Sequence, residues 1–369
     1  MNPAFSVYLD LVRFAAACLV YMYHSNQRLL VHDVLPMSQY GHSAVIVFFV
    51  LSGYVIAFVT DTKEREWRVY AASRLSRVYS VAVPALALTV LLDYLGRQLL
   101  PTIYTQYPFD QHLVRAAVSL SMLNEWWFLS VTSFSNVPYW SITYEIWYYV
   151  AFGLLTFLPR RWALKALLLL FLALGPKLLL LAPIWATGVW LYRDRRLQRI
   201  SSVAAWTLLA ASWVGIVAFH SADVQGMASK PFKVWLGGAW FDEFTFSKFF
   251  VSDYLLTAFV AMNFLAMRRV AEQTSTLWKA IEAPVRWAAA YTFTLYLLHQ
   301  PLFLFWAAVL RWDPHGPAYW LSMTALTAVS VVIVGHFTET QRHGLKSWTL
   351  KQLRRWPRAA GHVVGEHGH

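Results

Sequence analysis

The sequence predicts an all-α, polytopic integral membrane protein with about ten transmembrane helices, and three features point there. Only 14% of its 369 residues are charged and 58% are hydrophobic, against about 25% charged in an average soluble domain. Apolar runs of about 17–25 residues, the length that crosses a bilayer as a helix, recur along the whole chain. Lysines and arginines gather in alternate connecting segments, the pattern of cytoplasmic loops in a multi-pass protein. The net charge of +12 is therefore topological, and it argues for no nucleic-acid partner. Trp and Tyr, 19 of each, are the rings expected at bilayer interfaces. Composition thus sets aside a soluble globule.

The runs lie near 5–25, 42–60, 78–95, 138–158, 164–181, 182–192, 202–220, 252–267, 287–310 and 318–337. No basic residue precedes Arg13 and no small-residue cleavage pattern follows a short apolar core, so the first run is expected to stay in the protein as a helix. The sixth is short and opens at Pro183; its border with the fifth falls around Gly175-Pro176-Lys177. A further apolar stretch, 113–130, carries Arg115, Asn124 and Glu125. If it spanned, the basic loops 159–165 and 193–199 would move outside, so it is expected to be an outer re-entrant or interfacial segment.

With the N-terminus inside, most of the 31 Lys and Arg face the cytoplasm, among them Lys63, Arg160, Arg195, Arg196, Arg199 and Arg269. The longest outer loop, 221–251, holds Trp235, Trp240, Phe241, Asp242 and Glu243, a mix that suits carbohydrate contact and interfacial anchoring equally. Residues 1–340 read as one transmembrane domain. Residues 341–369, basic and carrying His362, His367 and His369, read as a cytoplasmic tail, placing both termini inside. Cys18 is the single cysteine, so neither an intrachain disulfide nor a cysteine metal site is available.

An ionisable side chain inside a span is costly, and each is a functional hypothesis. Eleven residues separate Arg13 from His24. At about 100° per residue this is about 20° from whole turns, which sets both on one helix face about 16 Å apart. Asp10, three residues before Arg13, can pair with it. Histidine is the usual general base because its pKa lies near operating pH, although a lone histidine at a helix end also suits an interface. In the second run, Phe48-Phe49-Val50-Leu51-Ser52-Gly53-Tyr54 places small residues where another helix or a ligand can approach. Ser52 is not in a G-x-S-x-G elbow. Arg74 and Arg77, ahead of Pro84, suit phosphates or lipid headgroups. The fourth run opens Trp140-Ser141 and reaches Glu145 about two turns in, at an expected depth comparable with His24. The ninth carries His299 beside Pro301, an expected kink, and the tenth ends with His336 and Glu339.

Taken in order, the Arg13 to His24 spacing, the Phe48 to Tyr54 run, Arg74 and Arg77, Trp140-Ser141 through Glu145, Tyr296 through Pro301 and the closing Glu339 resemble the landmarks of the membrane acyltransferase 3 family. The resemblance covers nearly the whole chain. One departure is Thr340-Gln341, where the family often has a proline. The resemblance implies an inner-membrane O-acyltransferase without the fused extracytoplasmic esterase-like domain that some members carry. Its donor would be cytoplasmic acyl-CoA, expected to be acetyl-CoA, with no metal. Its acceptor would be a hydroxyl of an extracytoplasmic glycan such as exopolysaccharide or lipopolysaccharide. It implies a catalytic His24 oriented by Glu145 or His299, and a donor site of Arg13, Arg74, Arg77 and Ser52. The alternative from another class is a transporter or flippase of a lipid-linked glycan, its buried Arg, His and Glu lining a path. The absence of an internal repeat weighs mildly against it.

Overall fold

The computed structural model describes residues 1–29, 35, 37–194, 200–314 and 316–355. Arg195, Arg196, Arg199 and the tail histidines lie outside the described residues. Among the described residues there is no β-strand, and fourteen α-helices follow one another: α1 Pro3–Leu29, α2 Gly41–Thr62, α3 Trp67–Leu99, α4 His112–Leu120, α5 Trp140–Phe157, α6 Arg160–Leu174, α7 Pro176–Arg193, α8 Ser202–Ser221, α9 Val224–Leu236, α10 Gly238–Glu243, α11 Phe250–Gln273, α12 Ser275–Ala290, α13 Thr292–Leu310 and α14 Pro317–Arg355. Seven of these, α1, α2, α3, α8, α11, α13 and α14, are long and apolar enough to cross a membrane. The chain is an all-α polytopic membrane protein.

Eight of the ten apolar runs each lie on one helix, whereas 164–181 straddles α6 and α7 and 287–310 straddles α12 and α13; the boundaries moved for identifiable reasons. The fifth and sixth runs divide at Gly175, whose φ of 95° closes α6; α7 then starts at Pro176 and continues straight through Pro183. Proline at the first helical position costs no hydrogen bond, so Pro176 is the better start. The ninth run begins later, at Thr292, because α12 ends at Ala290. The only helix in the 113–130 stretch is α4, whose nine residues begin at His112, about 14 Å of helix, too little to span. The tenth helix does not stop at 337: α14 has 39 residues, about 58 Å at 1.5 Å each, well beyond the hydrocarbon thickness.

The Phe48 to Tyr54 motif has a clear packing consequence. A Cβ on Gly53 would meet the Trp185 carbonyl of α7, and one on Gly188 would meet the Val50 carbonyl of α2. The two backbones touch because both lack side chains there, the small-residue contact common between membrane helices. Ser52, one residue earlier, faces the bundle interior.

Between α4 and α5 the chain enters the bundle without α-helical structure until a short 3₁₀ turn at Val137–Tyr139 leads into α5. Ser133, Ser135, Asn136 and Tyr139 are all buried. Irregular backbone at such depth persists only where protein groups satisfy it. Here Asp93 accepts from Ser135 N and Oγ at 2.9 and 2.5 Å, and Asn124 donates to the Val131 carbonyl at 2.7 Å. The same loop caps α6: the indoles of Trp126 and Trp127 donate to the Ala173 carbonyl at 2.6 and 3.1 Å, and Trp127 N donates to Leu174 O at 2.9 Å. These are carbonyls that a helix end leaves open.

The loop is pinned by an ion pair. Lys177 Nζ meets Glu125 Oε2 at 2.6 Å with side chains 0% and 2% exposed, and Glu125 also accepts from Ser130 at 2.5 Å and Thr245 at 3.0 Å. Removing one member leaves an uncompensated buried charge, so Lys177→Met is expected to cost about 3–5 kcal/mol, whereas Lys177→Met with Glu125→Leu should recover most of it. Thermal unfolding of the detergent-solubilised variants checks this. Equal melting temperatures for the single and double variants would contradict it.

The segment 221–251 is mostly helical. Trp235 and Trp240 are exposed while Phe241 is buried. The Lys248 ammonium, 2.9 Å from Asp242, holds that exposed carboxyl below its ordinary value.

Candidate functional site

Arg13 and His24 both turn toward α13. Arg13 shares a cavity with Thr292, Phe293 and Tyr296, and His24 meets His299 one turn further along, Nδ1 to Nε2 at 2.8 Å. The two imidazoles are within 9° of parallel, with centroids 5.1 Å apart. His299 is completely buried, and its Nδ1 lies 2.8 Å from the Tyr296 carbonyl and 3.1 Å from that of Leu295. A carbonyl only accepts, so His299 carries its proton on Nδ1. With both rings neutral, His299 Nε2 is an acceptor and His24 Nδ1 must donate to it. The lone pair of His24 is thereby set on Nε2, the tautomer a general base needs.

The cavity, about 70 Å³, is walled by Arg13, Arg77, Glu145, Ser52, Tyr149 and Tyr296 together with Phe48, Phe49 and other apolar side chains. Three α5 residues spaced four apart supply one wall: Ser141, which shares a 2.7 Å hydrogen bond with Tyr296, then Glu145, then Tyr149. The Glu145 carboxylate accepts from Ser52 Oγ at 3.1 Å and from the Tyr149 hydroxyl. The Trp185 indole donates to Ser52 at 3.2 Å.

The arginines are not equivalent. Arg74 is buried, with one guanidinium nitrogen 2.7 Å from each oxygen of Glu64 and its charge centre 5.7 Å from the rings of Tyr70 and Tyr149. Arg13 pairs with Asp10 at 3.3 Å, and Asp10 is shared with Arg286 at 3.0 Å. Among the described residues Arg77 makes no ion pair of its own. It stands in the field of Glu145, Glu339 and Glu64, so Glu339 joins this cluster from α14.

The structure therefore brings the residues singled out in the sequence into two adjoining groups, His24 with His299, and Arg13, Arg77, Ser52 and Glu145 around the cavity. Arg74 lies beside the second, turned to Glu64. Glu145 sits at the level of Arg13 rather than of His24. The largely irregular segment before α5 carries the chain down to the level of Tyr296, so a residue in the second turn of α5 lies deeper than helix counting from a surface predicts. Tyr149 was not singled out from the sequence, although the Ser141, Glu145, Tyr149 spacing marks one helix face. Asn136, which reaches α13 from the loop, had no sequence signal.

No curated protein and no solved structure matches the chain. A family described as an acyltransferase domain matches residues 6–336, nearly all of the described bundle, including every residue of the two groups except Glu339. That favours bond-making acyl transfer over transport. The chain belongs to the acyltransferase 3 family and is a membrane O-acyltransferase.

Proposed function

We propose that the protein moves an acyl group, acetyl in the simplest case, from cytoplasmic acyl-CoA to a hydroxyl of an extracytoplasmic glycan in the inner membrane, with both termini in the cytoplasm. The observation that carries this reading is the polarity of the site: a histidine pair at one end, and at the other a cavity lined by Arg13 and by Arg77, which among the described residues makes no ion pair of its own. His24 Nε2 takes the proton of the acceptor hydroxyl while His299 receives the Nδ1–H and holds the ring. The acceptor oxygen attacks the thioester carbonyl, the C–S bond breaks, and the proton passes from His24 to the leaving thiolate. Arg13 and Arg77 hold the donor, Ser52 and Glu145 line its path, and Arg74, already neutralised by Glu64, supports that end. A wider cleft of about 950 Å³ between α3 and α5 adjoins the cavity at Tyr149 and suits donor entry.

Radiolabelled acetyl-CoA incubated with membranes containing the protein and a crude glycan fraction tests the reaction. Label appearing in an alkali-labile ester on glycan supports it, and label confined to CoA speaks against it. Orientation is tested separately in a Cys18→Ser background. A cysteine at Lys63 is expected to resist an impermeant thiol reagent in intact cells and one at Gly226 to react. Reversed labelling would invert the proposed topology.

The two arginines of α3 should separate kinetically. Arg77→Gln is expected to raise the donor KM about 10- to 100-fold, the equivalent of one charge-assisted hydrogen bond. Arg74→Gln orphans Glu64 and should lower thermal stability with little change in KM. Equal KM effects would place both arginines on the donor.

A further inference from the structure

Pro301 lies inside α13. Lacking an N–H, it cannot serve the carbonyl four residues earlier, that of Leu297, a completely buried residue. A buried carbonyl without a donor is costly, so its partner must be found elsewhere. That partner is Asn136, whose Nδ2 donates to Leu297 O at 2.7 Å and to Thr89 Oγ1 at 3.2 Å. Thr89 spends its own hydrogen on the Ala85 carbonyl at 2.7 Å, so both partners accept and the amide can be oriented in only one way.

Asn136 is itself fixed. It is completely buried, its N donates to Ser133 O at 3.0 Å, and its neighbour Ser135 is clamped by Asp93. Asp93 and Thr89 are four apart on α3, one turn of the same face. The opened turn of α13 that Asn136 holds is the turn containing His299, which lies between Leu297 and Pro301. We propose that Asn136 is a positioning residue for the histidine pair: by closing the hydrogen-bond gap left by Pro301 it fixes the path of α13, and so the place of His299 Nε2 relative to His24 Nδ1. This rests on reading His24 and His299 as the proton-transfer pair.

The test is a double-mutant cycle on the full-length protein in lipid nanodiscs, with acetyl-CoA as donor, read in kcat, donor KM and melting temperature. Asn136→Leu keeps the shape and removes the donor. It is expected to lower kcat by about 10- to 100-fold, the scale of a small misplacement of a reacting group, with the donor KM within about twofold. Pro301→Ala gives the Leu297 carbonyl a backbone N–H of its own. In that background Asn136→Leu should change kcat less than about threefold and lower the melting temperature less than it does with Pro301 present. Equal losses in both backgrounds, or a native kcat for Asn136→Leu, would overturn the proposal and leave Asn136 as an anchor of the loop alone. If Pro301→Ala is itself inactive, the coupling is read in melting temperature. His24→Ala separates the two levels. Full activity in that variant removes the histidine-pair reading, whereas an inactive His24→Ala beside a fully active Asn136→Leu removes only this inference.

Discussion

A His24→Ala protein is expected to insert and pack as the native chain does, yet to transfer acyl groups 10²–10⁴-fold more slowly, the usual cost of losing a general base. The packing expectation follows from position. His24 is only partly buried, so its truncation opens no large cavity in the apolar core. The kinetic expectation follows from the tautomer argument, which leaves His24 Nε2 as the ring atom carrying a lone pair while His299 is committed to a backbone carbonyl through Nδ1. Initial rates of labelled ester formation at saturating donor measure it, with thermal unfolding as the control for folding. Near-native transfer by a well-folded His24→Ala protein would move the proton transfer elsewhere, although the family membership would stand.

His299→Phe should be nearly as damaging, by a different route. Phenylalanine fills most of the imidazole volume but offers no acceptor to the His24 Nδ1–H, so nothing selects the productive tautomer. Losing such an orienting acceptor costs up to about 10⁴-fold in the serine-protease triad. His299→Gln keeps an oxygen that can receive that proton, and it is expected to retain clearly more activity than His299→Phe. The ordering of the two variants is the measurement. If Phe and Gln are equally impaired, the role of His299 is packing around Tyr21 and Phe303, whose rings flank it, and not the tautomer of His24.

Much of this was legible in the chain. Apolar length, a physical requirement of the bilayer, located the helices but not the breaks inside 164–181 and 287–310, and the Arg13 to His24 spacing set both side chains toward one partner, which proved to be α13. The Glu145 depth was not legible, because helix counting assumes that a run starts at a membrane surface. Here buried polar contacts from Asp93, Asn124 and Thr89 carry a largely irregular segment inward first, and such contacts between distant segments leave no periodic trace. The arginines of α3 looked alike in sequence, three residues apart. Only the loop that returns Glu64 to Arg74 distinguishes the neutralised arginine from the one facing the cavity.

The sequence by itself determined the all-α membrane architecture, through composition and the period of its apolar runs, and it named the histidines and arginines whose burial needs explaining. Tertiary structure alone decided their pairing. His24 and His299 are 275 residues apart, and Glu125 and Lys177 are 52 apart. Hydrogen-bond partners at such separations are chosen by how the helices pack, because a buried polar group is satisfied by whichever group packing places within about 3 Å of it.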